Sequence, residues 1–547
     1  MIKQKKSYHF KNLNINMNYI KKYRFQIICS LFLIWAAVGV WPLSCYESDS
    51  MHIIAGCNNY IAGGGDLLPP NYSYEYNMQP LVTVLVVGLK YLFSFLSCEQ
   101  IYCLLTAIAA LFFAVGCFFF GNKVIGLNKE YMLLSLILIP ETYACAYYPN
   151  STTLAASLFI WGLLFLKETR WLLAGLLFCI APLFRVDVVI VYPTIFALFI
   201  YQGYNWKKAM TISVIYALAV ITFVCLGCWL MKANPIESLA SYNSMNNNLV
   251  FTPEVKFAVF TFYTALGVLL LPLGVVNIVK TKHYKLLFLC LLPILLLHYM
   301  FRNTGCATKH YLYLLPFVAV IYSIGLRVIL NLKSNFLKYA ICCGILFFLI
   351  FSIRIDFPDR PWRNEKKSEA HIGPFVLLAE NRNSVYRPQF GIGAGQLIPT
   401  EDEFMLASGN LFYPFYIYSH KQRKESYRRE AYELLKGKSY NLLLLSWSEC
   451  SWFVNLLMED GWIMRRNKHQ HGDSFGKLIK DNRSIDCYYT RELTRNDYAG
   501  LLRVLSRHRN DGKICIVAEV ENINYLLEKA ARQGKIKRLG ERCYELN

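Results

Sequence analysis

Two carboxylates lie two residues apart just after the first long apolar run of the chain. In the stretch CYESDSMH they are Glu47 and Asp49, and the whole segment 45–78 contains no Lys or Arg. A carboxylate at a membrane boundary, close to cations, can act as a general base toward a sugar or lipid hydroxyl. If the stretch is extended, both side chains point the same way. The alternative is a pair of solvated loop acids that simply follow a span.

The same segment is rich in tyrosine and ends in YSYEYNMQPL. Tyrosine rings suit the faces of sugars and the membrane interface. Tyr74 and Glu75 are therefore assigned to the substrate-binding side. The preceding GGGD and LLPP are turn sequences that shape the loop, and Asp66 is interpreted as structural or as lying on the substrate side.

A charged pair interrupts an apolar region near the middle of the chain, in APLFRVDVVIVYP. Arg185 and Asp187 lie between two apolar runs, where a charge is costly in lipid and is usually paired or functional. A structural ion pair and a substrate-binding site both fit this pattern.

A third polar cluster precedes another apolar run, in RNTGCATKHYLYLLPF. Arg302, Lys309 and His310 converge there at the entrance of a span. Such a cluster can neutralise a phosphate leaving group through charge-assisted hydrogen bonds. An ordinary polar loop is the alternative interpretation.

The composition shows which elements must position these residues. Of the 547 residues, 55% are hydrophobic and only 17% are charged, which is typical of a membrane protein. Residues 1–354 contain many apolar runs, whereas residues 355–547 are charged and of mixed polarity. We expect an α-helical, polytopic transmembrane domain over 1–354 and an extracytoplasmic (periplasmic) α/β domain over 355–547.

The distribution of Lys and Arg predicts the topology. The start of the chain is basic and has no acid before the first apolar run, so the N-terminus is expected in the cytoplasm and the segment 45–78 outside. The later basic clusters KETR, WKK and KTKHYK alternate consistently with the apolar runs. Arg185, Asp187, the loop 301–310 and the C-terminal domain then lie on the same, extracytoplasmic side as Asp49.

The apolar runs predict eleven spans, with twelve or thirteen as the alternatives. The prediction of eleven treats 79–97, which carries Lys90, as an interfacial or re-entrant helix. Some runs are short, so tilting or bilayer thinning is required. The protein is expected as a multi-pass protein of the inner (plasma) membrane, surrounded by membrane lipids.

The formal net charge of +21 does not require nucleic acid as a partner. Lys and Arg collect in cytoplasmic loops of membrane proteins, and no basic-aromatic binding motif accompanies the charge. The sequence contains no glycine-rich phosphate loop, no zinc-ligand spacing and no internal repeat.

The C-terminal part has an α/β pattern. The apolar runs at 441–448 and 513–520 predict buried strands, and RCYELN predicts a final strand. The segment 521–540 has helical apolar spacing and ends with a Gly at its expected C-cap.

In the order of these motifs, the sequence resembles the GT-C superfamily of membrane glycosyltransferases, which includes lipid-linked mannosyltransferases and the aminoarabinose transferase of lipid A. The acidic Glu47-Ser48-Asp49 after the first span is similar to the family's acidic motif. YSYEYNMQPL, NSTTLAASLFIWGLLFL, FRVDVVIVYP and KHYLYLLPF resemble further family segments. The resemblance covers the membrane domain to about residue 330.

The resemblance implies a hexosyltransferase that uses a polyprenyl-phosphate sugar donor and inverts the anomeric carbon. The acceptor is a hydroxyl of a glycan, lipid or protein. Asp49 would take the proton from the acceptor hydroxyl, with Glu47 as second choice. The departing lipid phosphate would be held by basic residues of the other two motifs, namely Arg185, Arg302, Lys309 or His310.

The sequence also departs from the family. The acidic motif is ExD rather than an adjacent acid pair, and Asn150 occupies a place where some members have an acid, with Glu141 displaced. We therefore expect no metal and no other cofactor, although a divalent cation is the alternative.

Other classes of membrane protein fit the composition. A polymerase or ligase of lipid-linked oligosaccharides would be expected to concentrate catalytic Arg and His in a later loop. A transporter or flippase favours inverted repeats and broken helices. A non-catalytic scaffold with a partner-binding C-terminal domain is a further alternative.

Overall fold

The computed structural model describes the greater part of the chain. The described residues are 23, 25–44, 48–64, 79–139, 141–234, 267, 269–300, 308–350, 353–356, 369–372, 375–379, 403–406, 413–436, 439–445, 452–466, 474–489, 498–518 and 521–546. Glu47, Tyr74, Glu75 and Arg302 lie outside these ranges. Asp49 and Lys309 are described by their backbone only.

The N-terminal part is built of helices. They are α1 Phe25–Val38, α2 Ser48–Ile61, α3 Pro80–Leu92, α4 Cys98–Phe119, α5 Lys129–Leu138, α6 Glu141–Ala144, α7 Ser151–Lys167, α8 Trp171–Phe184, α9 Pro193–Tyr201, α10 Trp206–Leu230, α11 Leu269–Lys280, α12 Tyr284–Met300, α13 Leu315–Leu330 and α14 Asn335–Ile350. A π-helical turn, Phe120–Val124, extends α4, and two 3₁₀ helices, Val186–Val191 and Thr308–Leu314, precede α9 and α13.

Several of these helices have the length and composition of membrane spans. Within the described ranges, Cys98–Val124, Trp206–Leu230 and His310–Leu330 are long and apolar enough to cross a bilayer, and eight further apolar helices have 10–17 residues. Helix α10 exposes large apolar side chains such as Ile221 and Trp229, which suit lipid. The predicted polytopic helical architecture and the membrane location are thus confirmed, whereas the number of spans stays a prediction.

Helix α3 is too short to cross a bilayer straight. Its 13 residues span about 20 Å at 1.5 Å per residue, against about 30 Å of hydrocarbon. Lys90 in its last turn donates hydrogen bonds to the carbonyls of Ser94 and Leu96, 2.6 Å each. Its assignment as an interfacial or re-entrant helix stays a prediction.

The segment after the first apolar run is not an extended loop. Helix α2 begins at Ser48, three residues into the predicted loop, and the backbone leaves it through Gly63 at φ +88°. Its buried residues are Ser50, Met51, Ile53, Ile54, Ala55, Cys57 and Asn58. Burial of this apolar face favours a helix over a solvated loop, so the prediction of a loop over the whole of 45–78 was wrong for this helix.

The relative directions of α4, α7 and α8 show which helix ends lie at the same end of the bundle. A short turn with Thr169 at φ 61° joins α7 to α8, so these two helices run antiparallel. Helix α4 runs parallel to α7: the Asn150 N–H donates to Thr106 Oγ1 (3.1 Å), and Trp161 Nε1 donates to the Phe112 carbonyl (2.9 Å). The starts of α4 and α7 and the end of α8 therefore lie at the same end.

Two glycines let α11 and α13 approach closely. A Cβ added at Gly325 would lie 2.5 Å from the carbonyl oxygen of Leu270, and a Cβ at Gly274 would clash with the carbonyl of Ile321. Small residues at helix crossings permit such backbone contact within membranes. This crossing helps to position the 3₁₀ helix that precedes α13.

The C-terminal part contains two sheets. Strands β1 Ile353–Asp356, β2 Glu369–Ile372, β3 Phe375–Ala379 and β4 Glu403–Leu406 form an antiparallel sheet in the order β3-β2-β1-β4. The elements that follow are α15 Tyr413–Leu435, β5 Leu442–Leu445, α16 Trp452–Glu459, β6 Ile463–Arg466, β7 Ser474–Lys480, β8 Arg483–Tyr489, α17 Tyr498–Arg507, β9 Ile514–Val517, α18 Glu521–Arg532, β10 Lys537–Arg538 and β11 Cys543–Leu546.

The second sheet has seven strands in the order β10-β11-β9-β5-β8-β7-β6. Strand β5 pairs parallel with β8 and β9, and the other pairs are antiparallel. Leu442 and Leu444 of β5 pack with residues of α17 and α18, whereas Leu443 and Leu445 belong to the core that contains α15 and α16. This alternation places helices on both faces, which confirms the predicted α/β class.

The helix predicted over 521–540 is shorter than expected. Helix α18 ends at Arg532, Gly534 takes the left-handed φ of +69°, and Lys537–Arg538 is a strand. The predicted stop at Gly540 was therefore wrong, because the earlier glycine already provides the C-terminal cap.

The C-terminal part packs against the start of the helical part. Asn58 of α2 donates through Nδ2 to Asn455 Oδ1 of α16 (3.2 Å), and Lys421 of α15 donates to the carbonyl of Val40 (3.0 Å). Asn455 and Lys421 are each buried in these contacts. The two parts thus share a packed, polar interface at α2.

Candidate functional site

A buried carboxylate is the centre of the site. Asp187 Oδ2 lies 3.3 Å from Nε of Arg185 and 2.8 Å from Nδ1 of His310. Its other oxygen, Oδ1, accepts a hydrogen bond of 2.6 Å from the hydroxyl of Tyr313. Because a carboxylate only accepts hydrogen bonds, Nδ1 is the protonated ring nitrogen of His310 in this contact.

Local backbone geometry brings Arg185 and Asp187 to this point. Helix α8 carries Pro182 near its end, and Arg185 is extended, with φ −159° and ψ 113°. The following 3₁₀ helix carries Asp187, and Pro193 then begins α9. The break between α8 and α9 therefore places two charged side chains together in the protein interior, where they pair with each other.

The partner residues come from the second 3₁₀ helix, Thr308–Leu314. In a 3₁₀ helix, residues three apart lie above one another. His310 and Tyr313 have this spacing, so both side chains reach the same carboxylate. The His310 ring and the Tyr313 ring are buried, as are Arg185 and Asp187.

The charged groups of this cluster are buried, so each of them needs a partner to offset the free-energy cost of its desolvation. Only 4% of Arg185 and 8% of Asp187 are exposed. A buried charge is stable only when paired and hydrogen-bonded, and removal of one partner costs about 3–5 kcal/mol. The pairs with Arg185 and His310 and the Tyr313 hydrogen bond supply this compensation, so the cluster holds two basic groups in fixed positions.

Helix α2 begins at the same end of the bundle. Ser50, next to Asp49, donates a hydrogen bond from its hydroxyl to the carbonyl of Pro149, just before α7. Arg185 directly follows α8, whose last turn lies beside the start of α7. We call this end of the helical part, defined by Ser50, Asn150 and Arg185, the site end. The backbone of Asp49 and the Asp187 cluster both belong to it.

The structure therefore brings together three of the residues singled out in the sequence: Arg185, Asp187 and His310. Glu47, Tyr74, Glu75 and Arg302 lie outside the described residues, and the positions of the Asp49 and Lys309 side chains are not described. Tyr313 is a member of the cluster that the sequence analysis missed. Its signal was the spacing of three from His310 in KHYLYLLPF.

Asn150, the residue just before α7, serves to begin that helix. Asn150 Oδ1 accepts from the Thr153 N–H at 2.7 Å, which is an N-cap, and Nδ2 donates to the carbonyls of Cys145 and Tyr148. These contacts give Asn150 a structural role. Over the part of the chain that the structure describes, no three His, Cys, Asp or Glu side chains converge on a cation site.

Comparison with known proteins identifies the fold. No protein-family model matches the sequence, and no curated relative matches it. The apo structure of ArnT from Cupriavidus metallidurans, an aminoarabinose transferase, aligns over 96% of this chain and 98% of its own, with 9% identity and a TM-score of 0.51.

Two further solved structures are similar to the chain. ArnT from the same organism bound to undecaprenyl phosphate covers the same shares at 9% identity, with a TM-score of 0.49. The oligosaccharyltransferase AglB from Archaeoglobus fulgidus, in complex with an inhibitory peptide and a dolichol-phosphate, aligns over 94% of this chain and 72% of its own, at 13% identity and a TM-score of 0.41. The likeness to apo ArnT shows that the chain shares the fold of that structure, which agrees with the helical membrane part and the C-terminal α/β part expected from the sequence.

Proposed function

We propose that the protein is an integral-membrane glycosyltransferase. It transfers a sugar from a polyprenyl-phosphate donor to a hydroxyl of a glycan, lipid or protein acceptor, with inversion, on the extracytoplasmic face. The observation that carries the proposal is the buried Arg185–Asp187–His310 cluster at the site end, where Asp49 lies in the first turn of α2.

The fold supports this class of reaction. The chain aligns with apo ArnT over nearly the whole length of both proteins, including the C-terminal part. A shared fold alone does not fix the chemistry. The proposal therefore rests on the residues at the site end, and in particular on basic groups held where a phosphate leaves.

The cluster suits a phosphate leaving group. Asp187 contacts Arg185 through Nε and His310 through Nδ1, and we assign these two basic side chains to the phosphate. Lys309, adjacent in the same 3₁₀ helix, and Arg302 are assigned to the same task. Fixed donors of this kind stabilise the charge that develops as the donor bond breaks.

Asp49 is the general base in this proposal. The acceptor oxygen forms a bond to the anomeric carbon, its proton passes to the Asp49 carboxylate, and the bond between that carbon and the phosphate oxygen breaks. The electron pair leaves with the phosphate. Because the attack is on the face opposite the leaving group, the anomeric configuration inverts.

The test is transfer by the purified full-length protein in lipid nanodiscs, with a panel of radiolabelled polyprenyl-phosphate sugars and a cell-envelope lipid extract as acceptor. Asp49→Asn is expected to lower the rate by at least about 100-fold, the usual contribution of a general base. Asp66→Asn, in the same polar segment, is the matched control and is expected to keep the wild-type rate. Wild-type turnover in Asp49→Asn contradicts the assigned base.

The failure of every donor to react with the wild-type protein, when lipid, glycan and protein fractions of the cell envelope are each supplied as acceptor, contradicts the proposed class. Glu47→Gln separates the two acids of the motif, since the proposal expects a smaller loss than for Asp49→Asn. An equal or larger loss moves the base to Glu47.

A further inference from the structure

Helix α2 is held near both of its ends. Near its start, at the site end, the Ser50 hydroxyl donates a hydrogen bond to the carbonyl of Pro149, which precedes α7. Near its other end, Asn58 and Asn59 form hydrogen bonds to the C-terminal part of the chain. The proposed base, Asp49, lies in the first turn of this helix. The position of its backbone therefore depends on the contacts at both ends of α2.

The contacts with the C-terminal part are made by side-chain amides. Asn58 Nδ2 donates to Asn455 Oδ1 at 3.2 Å and to Glu459 Oε1 at 3.4 Å, both on α16. Asn59 Oδ1 accepts from the backbone N–H of Met464 in strand β6 at 2.8 Å. Asn58 and Asn455 are buried. Because a buried polar group that loses its partner is costly, these hydrogen bonds fix the register of α2 against α16 and β6.

Helix α2 needs this support because it is short. It has 14 residues, and isolated helices of about 12–15 residues are only marginally stable in water. Met51 and Ile54 of α2 belong to the same apolar core as Phe453 and Leu457 of α16, and the two helices pack against each other. Packing against the C-terminal part therefore stabilises the helical form of α2.

The glycines after α2 leave space for the Asn59 side chain. A Cβ added at Gly64 would overlap the amide group of Asn59. Gly63 has a left-handed φ of +88°, which glycine adopts without strain. The start of the GGGD motif thus ends the helix and lets the Asn59 amide reach the Met464 N–H.

A displacement at the end of α2 reaches Asp49 through the helix. Asn59 and Asp49 are separated by ten residues of the same helix, which is about 15 Å at 1.5 Å per residue. Catalytic groups are sensitive to such movements, since a misplacement of about 1 Å can lower a rate about 100-fold. The contacts at Asn59 can therefore influence the site end without touching the substrate.

We infer that the C-terminal part takes part in transfer by holding α2, with Asn58, Asn59 and Asn455 as positioning residues that place Asp49. The role of Asp49 comes from the proposed function, whereas the contacts that hold α2 do not depend on it. The C-terminal part then acts on the rate of transfer rather than on the binding of the acceptor.

The test compares two substitutions of Asn59 in the full-length protein in lipid nanodiscs. Asn59→Leu removes the acceptor for the Met464 N–H, and we expect kcat to fall about tenfold with the KM values for donor and acceptor unchanged. Asn59→Asp keeps an oxygen acceptor and is expected to stay within about twofold of the wild-type rate. Asn510→Leu, at an exposed position of the C-terminal part, is the matched control and is expected to keep the wild-type rate. A rise in acceptor KM at constant kcat overturns the inference.

A second background separates an effect through Asp49 from a general loss of structure. In Asp49→Asn, which lacks the proposed base, Asn59→Leu is expected to cause no further loss of rate, because residues that act as a unit are not additive. An equal tenfold loss in both backgrounds overturns the positioning role.

Hydrogen–deuterium exchange of the α2 backbone amides gives a readout that does not require transfer. We expect residues 50–59 to exchange at least about tenfold faster in Asn59→Leu than in the wild type, and at the wild-type rate in Asn59→Asp. Asn455→Leu removes the acceptor of Asn58 from the other side of the interface and is expected to have the same effects, so it replaces Asn59→Leu if that variant does not fold. Unchanged exchange in the leucine variants overturns the inference.

The two proposals fail in different ways. No transfer by the wild-type protein from any donor contradicts the proposed function, whereas the exchange measurement still decides whether the C-terminal part holds α2. Transfer at the wild-type rate in Asn59→Leu contradicts the positioning role and leaves the proposed function standing.

Discussion

The Arg428 guanidinium and the Glu99 carboxylate form a two-point ion pair across 329 residues of sequence. The Nη1–Oε1 and Nη2–Oε2 distances are both 3.1 Å, and both side chains are buried. Arg428 also pairs with Glu425 at 3.0 Å and lies over the ring of Trp452. The carboxylates beside it raise the pKa of Arg428, although its burial acts in the opposite direction. The ion pair connects α15 of the C-terminal part to the first turn of α4 in the helical part.

Removal of one partner of this pair is expected to weaken the interface. Arg428→Met leaves the Glu99 carboxylate buried without its cation, which costs about 3–5 kcal/mol. We expect a lower unfolding temperature in detergent and faster proteolytic separation of the C-terminal part. Arg429→Met, at the exposed neighbouring position, is the matched control and is expected to change neither. Equal stability of the two variants contradicts a role for the pair.

The stability of the same interface is expected to depend on pH through Glu459. The Glu459 carboxyl accepts a hydrogen bond from Asn58 (3.4 Å). Desolvation of the carboxyl by the surrounding protein raises its pKa to about 7, although part of the side chain is exposed. The nearby Glu99 adds to this rise, whereas Arg428 opposes it.

The folded state therefore binds this proton more tightly than the unfolded chain, whose carboxyl has an ordinary pKa of about 4.3. Its contribution to stability is present below the unfolded pKa and is lost as the pH rises through about 7. We expect the unfolding temperature to fall between about pH 5 and pH 8, less steeply than the full shift implies because the side chain is partly exposed. Glu459→Gln is expected to flatten this dependence. Glu433→Gln, an exposed control, is expected to retain it.

The cluster at the site end makes a kinetic prediction. Asp187→Asn removes the charge that orients Arg185 and His310, and we expect kcat to fall about 100-fold while the KM for the acceptor stays unchanged. Tyr313→Phe keeps the ion pairs and removes one hydrogen bond to the carboxylate, so a loss of about tenfold is expected. Glu168→Gln, exposed at the opposite end of α7, is the control. A rise in acceptor KM at constant kcat would assign the cluster to acceptor binding instead.

The close approach of α11 and α13 at Gly325 predicts the effect of a larger residue there on stability and assembly. Gly325→Ala would place a methyl group 2.5 Å from the Leu270 carbonyl, so α13 must shift away from α11. We expect lower thermal stability and a displaced 3₁₀ helix, with reduced transfer. Gly344→Ala in α14, where a Cβ has open space, is expected to be neutral or slightly stabilising. Similar losses in both variants would indicate a general effect of the methyl group on helices.

Sidedness is tested by labelling of single introduced cysteines in intact cells. Tyr525→Cys lies on the exposed face of α18, and Arg170→Cys lies in the exposed turn at the other end of α7 and α8. The predicted topology expects an impermeant maleimide to label Tyr525→Cys only from outside and Arg170→Cys only after the membrane is opened. The reverse pattern inverts the topology and moves the site end to the cytoplasm.

Local patterns in the sequence predicted much of the fold. Four consecutive apolar residues fixed β5, and the runs around Ile514 and Tyr544 became β9 and β11, because buried strands need little more than apolar side chains and flanking turns. Helix α2 was missed although Met51, Ile54 and Ala55 have the helical spacing of three and four. The acids before this helix and the glycines after it favoured a loop interpretation.

The site could be predicted only in part. Charged residues inside apolar runs are conspicuous, so Arg185 and Asp187 were singled out, but their roles as site residues stay predictions. The contact of Asp187 with His310 spans 123 residues and depends on how two 3₁₀ helices meet. The Glu99–Arg428 pair depends on docking of the C-terminal part, for which neither motif nor periodicity gives a signal.

The covering of strand β6 has a consequence for biogenesis. This strand lies at one edge of the described seven-stranded sheet, and its Met464 N–H donates to Asn59 Oδ1 of α2 at 2.8 Å. An open sheet edge is a template for pairing with other chains. Asn59 is synthesised 405 residues before Met464, so we expect α2 to be available to cover this strand when it emerges. We therefore expect the order of synthesis to shield the β6 edge while the C-terminal sheet folds.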